Sequence, residues 1–154
     1  MPVGPACVFQ AVASYTNGSL LSVVSANPVS ATNSIVFNAV RTGNADSSFN
    51  TFNGTFVAPA KGLYQFDVAI SAAAKAATTI TVNLVVDGNV INTQSKNAAT
   101  GDVINIDFSS IVSLNQASSV FVSWNATGAA GNANLQTAIY PSASNTWFQG
   151  KSLF

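Results

Sequence analysis

Apolar and polar side chains alternate along most of the chain with a period of two, the spacing of a strand with one buried face rather than the 3.6 of a helix. In LYQFDVAI (63–70), Tyr64, Phe66, Val68 and Ile70 share one face, and Leu63, Gln65, Asp67 and Ala69 share the other. In TITVNLVVDGN (79–89), Ile80, Val82, Leu84 and Val86 oppose Thr79, Thr81, Asn83 and Val85. VINIDF (103–108) alternates Ile104, Ile106 and Phe108 with Val103, Asn105 and Asp107. SVFVSW (119–124) sets Val120, Val122 and Trp124 inward and Phe121 and Ser123 outward. LQTAIY (135–140) and TWFQGKSLF (146–154) complete the series, and β-branched and aromatic residues dominate all of these runs.

Turn chemistry separates the runs. DGN (87–89) predicts a tight hairpin, because Gly and Asn tolerate positive φ. APAKG (58–62) places Pro59 at the start of a turn and Gly62 at its exit. GAAGNAN (128–134) reads as a flexible loop. AAAKAA (72–77) has helical composition but is too short to hold alone between strands, so a loop is expected there. Many short strands at regular spacing predict a single antiparallel sandwich or jelly roll.

Within this pattern, FNTFNGTFVAPAKGLYQF (49–66) has a spacing of its own: an aromatic at Phe49, then Gly54, Phe56, Pro59, Gly62, Tyr64 and Phe66. It reads as two strands and a turn, with Phe56, Tyr64 and Phe66 on one strand face and able to fill a core. The spacing resembles the signature of the C1q-like globular domain, within the C1q and tumour necrosis factor superfamily. The flanks agree in order. PACVFQAV (5–12) is similar to that domain's first strand, and IVFNAVRTGN (35–44) to the segment before its signature. VNLVVDGNVI (82–91) is similar to its apolar strand and short turn. IVSLNQASSVFVSW (111–124) follows its Leu-x-x-Gly-Asp-x-Val-x-Val pattern, with Ala117 and Ser118 where Gly-Asp is usual. In the closing strand Phe148 and Gly150 match, while Lys151 replaces a usual aromatic. Gly150 inside a strand lets a neighbouring ring or backbone approach closely.

The resemblance implies an all-β, ten-strand antiparallel jelly roll over residues 6–154 that assembles as a homotrimer, with residues 1–5 a leader or the end of a stalk. GPA at 4–6 would fit one collagen-like triplet. The resemblance also places the strands of Tyr64, Phe121 and Phe148 in one sheet, whose outward face meets the sister subunits. By parity that face carries Leu63, Gln65 and Asp67; Phe121 and Ser123; and Trp147, Gln149, Lys151 and Leu153. Asp67 and Lys151 are expected to meet near the trimer interface, since the strands that carry them should be neighbours. Trp147, Phe121 and Tyr140 are the aromatics to watch for a partner, with packing inside the trimer the plainer role.

Composition narrows the chemistry. Charged residues are 6% of the 154, against about 25% in an ordinary soluble domain. Formal net charge is zero, and Arg41, Lys61, Lys75, Lys96 and Lys151 are scattered, so no basic stripe is available for nucleic acid. With no His and only Cys7, neither a His-based catalytic triad nor a usual transition-metal site can be assembled, and no intrachain disulfide can form. Cys7 reads as a small buried side chain near the first strand. Asp102 and Asp107 are the acids nearest in sequence, and an odd separation puts them on opposite faces of a strand. An enzyme is therefore not expected, and no cofactor is. Calcium is the one ion for which oxygen donors exist, for example at Asp87, Asn89 and Asp102, but no ligand set is assigned. Asn17, Asn53 and Asn125 head glycosylation sequons at about the frequency chance predicts in so Asn-, Ser- and Thr-rich a chain.

No apolar run approaches the roughly 18 residues that span a bilayer, and no signal peptide is evident. The neutral polar surface leans toward an extracellular, cell-surface or virion-surface protein of bacterial or phage source. The expected function is a non-enzymatic trimeric head that recognises a glycan or protein on a cell or particle surface. The alternatives are a purely structural trimerisation clamp or coat building block, and a soluble cytokine-like ligand.

Overall fold

The computed structural model describes residues 8–12, 34–35, 37, 39–44, 47–126, 133–135 and 146–153. They form eleven strand segments: β1 (Val8–Val12), β2 (Ala39–Gly43), β3 (Phe49–Asn50), β4 (Thr55–Val57), β5 (Gly62–Ala74), β6 (Thr78–Val86), β7 (Asn89–Ala98), β8 (Val103–Leu114), β9 (Ser119–Ala126), β10 (Ala133–Leu135) and β11 (Trp147–Ser152). One sheet runs β2-β1-β11-β5-β8, with β10 also on β5; the other runs β3-β4-β9-β6-β7. β11 pairs with residues 64–69 of β5 and β10 with 72–74, both on the edge opposite β8. β10 and β11 thus share one lane, and the sandwich has ten strand lanes, five in each sheet. Every pairing is antiparallel. This is the ten-strand jelly roll expected above.

The inward parity of each strand forms the core. Tyr64, Phe66, Val68, Ile70, Ala72 and Ala74 of β5 are buried, and Ile80, Val82 and Leu84 of β6 face them with Val120, Val122 and Trp124 of β9. Aromatic rings gather at one end. Phe9 stacks on Phe49 and Phe56 at 4.7 and 5.3 Å and meets Phe148 edge-on at 5.2 Å. Phe56 and Phe66 touch edge-on at 5.4 Å, and Phe66 stacks on Phe148 at 5.7 Å. Each such pair adds roughly 0.5–1.5 kcal/mol beyond area burial. Gly150 pairs with Phe9 on one side and Phe66 on the other. A Cβ on it would lie 2.6 Å from the Phe9 ring and 2.8 Å from that of Phe66, so the ring cluster closes only over a glycine. The Tyr64 hydroxyl donates to the Ala60 carbonyl at 2.7 Å, which ties the 58–61 turn to the core.

The β6–β7 hairpin is the expected tight turn: Val86 pairs with Asn89, and the two residues between, Asp87 and Gly88, have φ of 49° and 82°. Other expectations are corrected. AAAKAA is not all loop: β5 continues to Ala74, because Ala72 and Ala74 still face the core and their backbone pairs with β8 and β10. Phe56 does not share a strand face with Tyr64 and Phe66; it belongs to β4, in the opposite sheet, and meets them across the sandwich. The stretch 49–66 accordingly holds three strand segments, since the chain turns at 51–54 and again at 58–61. β7 is a ten-residue strand that hydropathy does not reveal. Its core-side positions Asn92, Gln94 and Lys96 pair with Leu84, Val82 and Ile80 but lie at the sandwich edge. There Asn92 Nδ2 donates to Ser110 Oγ, and Lys96 Nζ to the Asn105 carbonyl, lacing β7 to β8. The expectations for residues 1–5, Cys7, Asn17 and Tyr140 lie outside the described residues.

Candidate assembly face

The outward face of the β5 sheet holds most of the residues singled out from sequence. Antiparallel register aligns them in rows across the strands. One row runs Gln10, Gln149, Asp67, Ser109 across β1, β11, β5 and β8. The next runs Val8, Lys151, Gln65, Ile111 across the same strands. Trp147 and Ala69 pair on one side of these rows. Leu63 pairs with Ser113 on the other, where Leu153 N–H donates to the Leu63 carbonyl at 2.9 Å.

The first row is a hydrogen-bonded belt. Gln10 Nε2 donates to Gln149 Oε1 at 3.3 Å, and Gln149 Nε2 donates to Asp67 Oδ2 at 2.7 Å. The other carboxylate oxygen accepts from the Ser109 hydroxyl and, at 3.3 Å, from Gln65 Nε2. Partial burial by itself pushes the Asp67 carboxyl up. The hydrogen bonds from Ser109, Gln149 and Gln65, with the positive charge of Lys151, outweigh it and hold the group below its ordinary value. Val8, Phe9, Gln10, Asp67, Gln149, Gly150 and Lys151 line a shallow cavity of about 120 Å³ over this belt. On the same face apolar side chains stand open: Ile111 is 65% exposed next to the belt, with Val8 and Leu63 less so, and Val103, 58% exposed, stands at the far end of β8 opposite Ala73.

Of the expected face residues, Gln65, Asp67, Gln149, Lys151 and Leu153 are brought together here. Phe121 and Ser123 are not. They lie on β9, which pairs with β4 and β6 in the other sheet. Period two assigns a face within a strand but cannot say which sheet the strand joins. Ser123 is buried, hydrogen-bonded by Asn83 Nδ2 at 3.2 Å, and Ser34 bridges to it along the edge of β9. The strands of Asp67 and Lys151 are neighbours, as expected, but the two residues are diagonal in register, and Lys151 is exposed. Within the chain the carboxylate is held by neutral donors, and no ion pair forms between the two.

The candidate calcium ligands are separated. Asp87 Oδ1 accepts from Ser119 N–H at the start of β9, and Asp102 Oδ2 accepts from Ala99 N–H. Asp87 and Asn89 lie at one end of the ten-residue β7 and Asp102 beyond the other, about 30 Å away. Among the described residues no group of three His, Cys, Asp or Glu is close enough to hold a metal. No helix among them is long and apolar enough to cross a membrane. Sequence reasoning also passed over Phe52, the most exposed large apolar side chain described, at 92%. Its position inside an asparagine- and glycine-rich turn, out of step with the buried Phe49 and Phe56, was the signal for it.

The profile of the C1q domain family matches residues 21–150. The globular domain of zebrafish complement 1qA protein superposes with a TM-score of 0.67 at 13% identity, covering 96% of this chain and 97% of that one. The Eiger TNF structure from S. frugiperda superposes with a TM-score of 0.70 at 11% identity, covering 97% and 94%. No curated protein matches the chain by sequence.

Proposed function

The chain belongs to the C1q domain family, and from that premise we propose that it is a non-enzymatic head which trimerises through the outward face of the β5 sheet and presents a recognition surface outside the cell or on a particle. Members of the family form trimers and often bind ligands. The observation that carries the reading is the pairing, on one face, of the belt from Gln10 to Ser109 with the open apolar groups Val8, Leu63, Val103 and Ile111. Apolar area left in water favours association by about 25 cal/mol per Å² once covered, and the belt brings its own hydrogen bonds into the interface.

The proposed interface residues are Gln65, Asp67, Gln149, Lys151 and Leu153. Phe121 and Ser123 drop out, because β9 lies in the other sheet. Lys151 of one copy approaching Asp67 of the next would give the carboxylate the charged partner it lacks within its own chain. Native mass spectrometry and light scattering should find a trimer; a monomer at micromolar concentration would end the assembly reading. An equally heat-resistant Lys151→Met trimer would remove the charge pair from it. Labelled trimer on glycan arrays and cell panels tests recognition. Silence there, with collapse of a fused stalk on deleting the domain, would favour a structural clamp.

A further inference from the structure

The turn between β3 and β4 is built to present one ring. Its feet, Phe49 and Phe56, pair across the two strands and are buried in the aromatic cluster. Asn44 clamps the first foot: its Oδ1 accepts from Phe49 N–H at 2.8 Å and its Nδ2 donates to the Phe49 carbonyl at 3.0 Å. Gly54, at φ 72°, closes the turn by donating to the Asn50 carbonyl at 2.9 Å. Between these fixed points Phe52 is 92% exposed, although a ring of that size buried in a core or interface contributes strongly.

The two asparagines beside it are oriented by their own backbone. Asn50 Oδ1 accepts from Phe52 N–H at 2.8 Å, and Asn53 Oδ1 accepts from Thr55 N–H at 2.9 Å. A backbone N–H can only donate, so each amide must turn its oxygen inward and its NH2 away from the turn. The result is an open ring flanked by two amide donors held in place, with no charged group among residues 50–55.

We propose that this turn binds neutral carbohydrate, the Phe52 ring stacking on the C–H face of a pyranose while Nδ2 of Asn50 and Asn53 donate to its hydroxyl oxygens. The inference rests on the recognition reading above and names its ligand class. A pyranose has one apolar face and a rim of acceptors, which matches one ring and two donors. A protein partner would need about 800 Å² of surface with contacts shielding the ring on all sides, and a four-residue turn does not offer that. β3 is the edge of the other sheet, so assembly through the β5 sheet leaves the turn open, and three copies would multiply a weak single contact.

The test uses the full chain made in bacteria, where the sequon at Asn53 stays unmodified. It is titrated with methyl glycosides of glucose, galactose, mannose and N-acetylglucosamine while the amide signals of residues 50–55 are followed by NMR, and is then applied to an array of neutral glycans. At least one sugar should move those signals. Phe52→Ala should weaken its binding about tenfold and Phe52→Trp should retain it. Asn53→Asp, which keeps the inward oxygen but removes the donor, should weaken it severalfold at unchanged melting temperature. Sugars that leave residues 50–55 unmoved, or array binding equal in wild type and Phe52→Ala, would overturn the site. In the second case recognition by another surface would survive. A monomeric wild type would count against assembly alone, since the titration reads each chain separately.

Discussion

The outward face of β5, β11 and β8 carries a carboxylate, an ammonium and open apolar side chains; the outward face of β6 and β7 carries hydroxyls and amides that bond one another. On the second face Thr79 Oγ1 donates to Asn97 Oδ1 at 2.7 Å, the Thr81 and Ser95 hydroxyls meet at 2.8 Å, and Thr93 Oγ1 donates to Asn83 Oδ1 at 2.8 Å. These cross-strand pairs satisfy each other, and only at the hairpin end of β7 do apolar groups stand open beside them, Ile91 at 43% and Val90 at 38%. The first face has a belt of the same kind, but Ile111, Val8 and Leu63 remain in water near it, as does Val103 at the far end of β8. Polarity alone does not separate the two faces. The extent of open apolar surface does: Ile111 and Val103 stand further into water than Ile91 and Val90, and a second copy of the chain on the proposed interface would bury them.

The sharpest way to break the contrast is a charge at matched positions. Ile111→Asp should abolish the proposed trimer, since an unpaired charge in a closed interface costs several kcal/mol and would recur three times. Ser95→Asp, on the hydroxyl face, should leave the trimer intact. Sedimentation of the two variants side by side reads the difference, and a trimeric Ile111→Asp would move the interface elsewhere.

Next in size is alanine at two glycines. Gly150→Ala drives a methyl into the Phe9 and Phe66 rings beneath the first face and should destabilise by about 1–3 kcal/mol. Gly88→Ala in the β6–β7 turn meets nothing within 4 Å and bears only the strain of φ +82°, about 1 kcal/mol. Chemical denaturation should rank them in that order.

A smaller effect is expected at Asp67. Its folded pKa lies below the unfolded value of about 3.9, so its contribution is complete above that pH and is lost as pH falls through the folded value. Asp67→Asn should lower stability at neutral pH by about 1 kcal/mol after allowing for solvent screening. It should also flatten the loss as pH falls below the ordinary carboxylate value, whereas Thr81→Val on the other face should shift the whole curve without changing its slope. Parallel acid titrations of melting temperature for Asp67→Asn and wild type would contradict the assignment of that carboxylate.

The smallest concerns the β8–β9 turn that carries the chain from one sheet to the other. Ala117 stands there at φ 70°, in the left-handed region, at the position where the family pattern has glycine. The strand ends hold it: Ala117 N–H donates to the Ala58 carbonyl at 2.8 Å, and Ala58 N–H to the Ser118 carbonyl at 2.9 Å. Ala117→Gly should stabilise both faces alike by about 0.5–1 kcal/mol, as relief of strain exceeds the added chain entropy. A lowered melting temperature would show that the alanine methyl contributes packing.

Much of this was legible in the chain itself. The even positions of 64–70 name their side of the sandwich because successive Cβ atoms point to opposite faces of any strand. Asp87-Gly88 names its turn because only residues tolerant of positive φ make that hairpin. Gly150, Phe148 and the ring spacing from Phe49 to Phe66 carried the family resemblance, and the aromatic cluster explains why those residues occur together. β7 was hidden, since an edge strand whose core-side positions meet water at the sandwich rim keeps no hydrophobic period. Phe52 was hidden among rings that do enter the core.

Parity, turns and the candidate core are local: they follow from backbone geometry within a few residues, and the sequence by itself determined them. Which strand lies beside which is not local. Phe121 and Ser123 have the alternation of an assembly face, yet β9 pairs with β6 through residues some 40 positions away, and that pairing alone puts them in the other sheet. The diagonal offset of Asp67 and Lys151, and the amide donors that hold the carboxylate instead, likewise depend on a register between strands 82 residues apart. The tertiary structure decided these points, because register and sheet membership are set by the joint packing of the whole core rather than by any one segment.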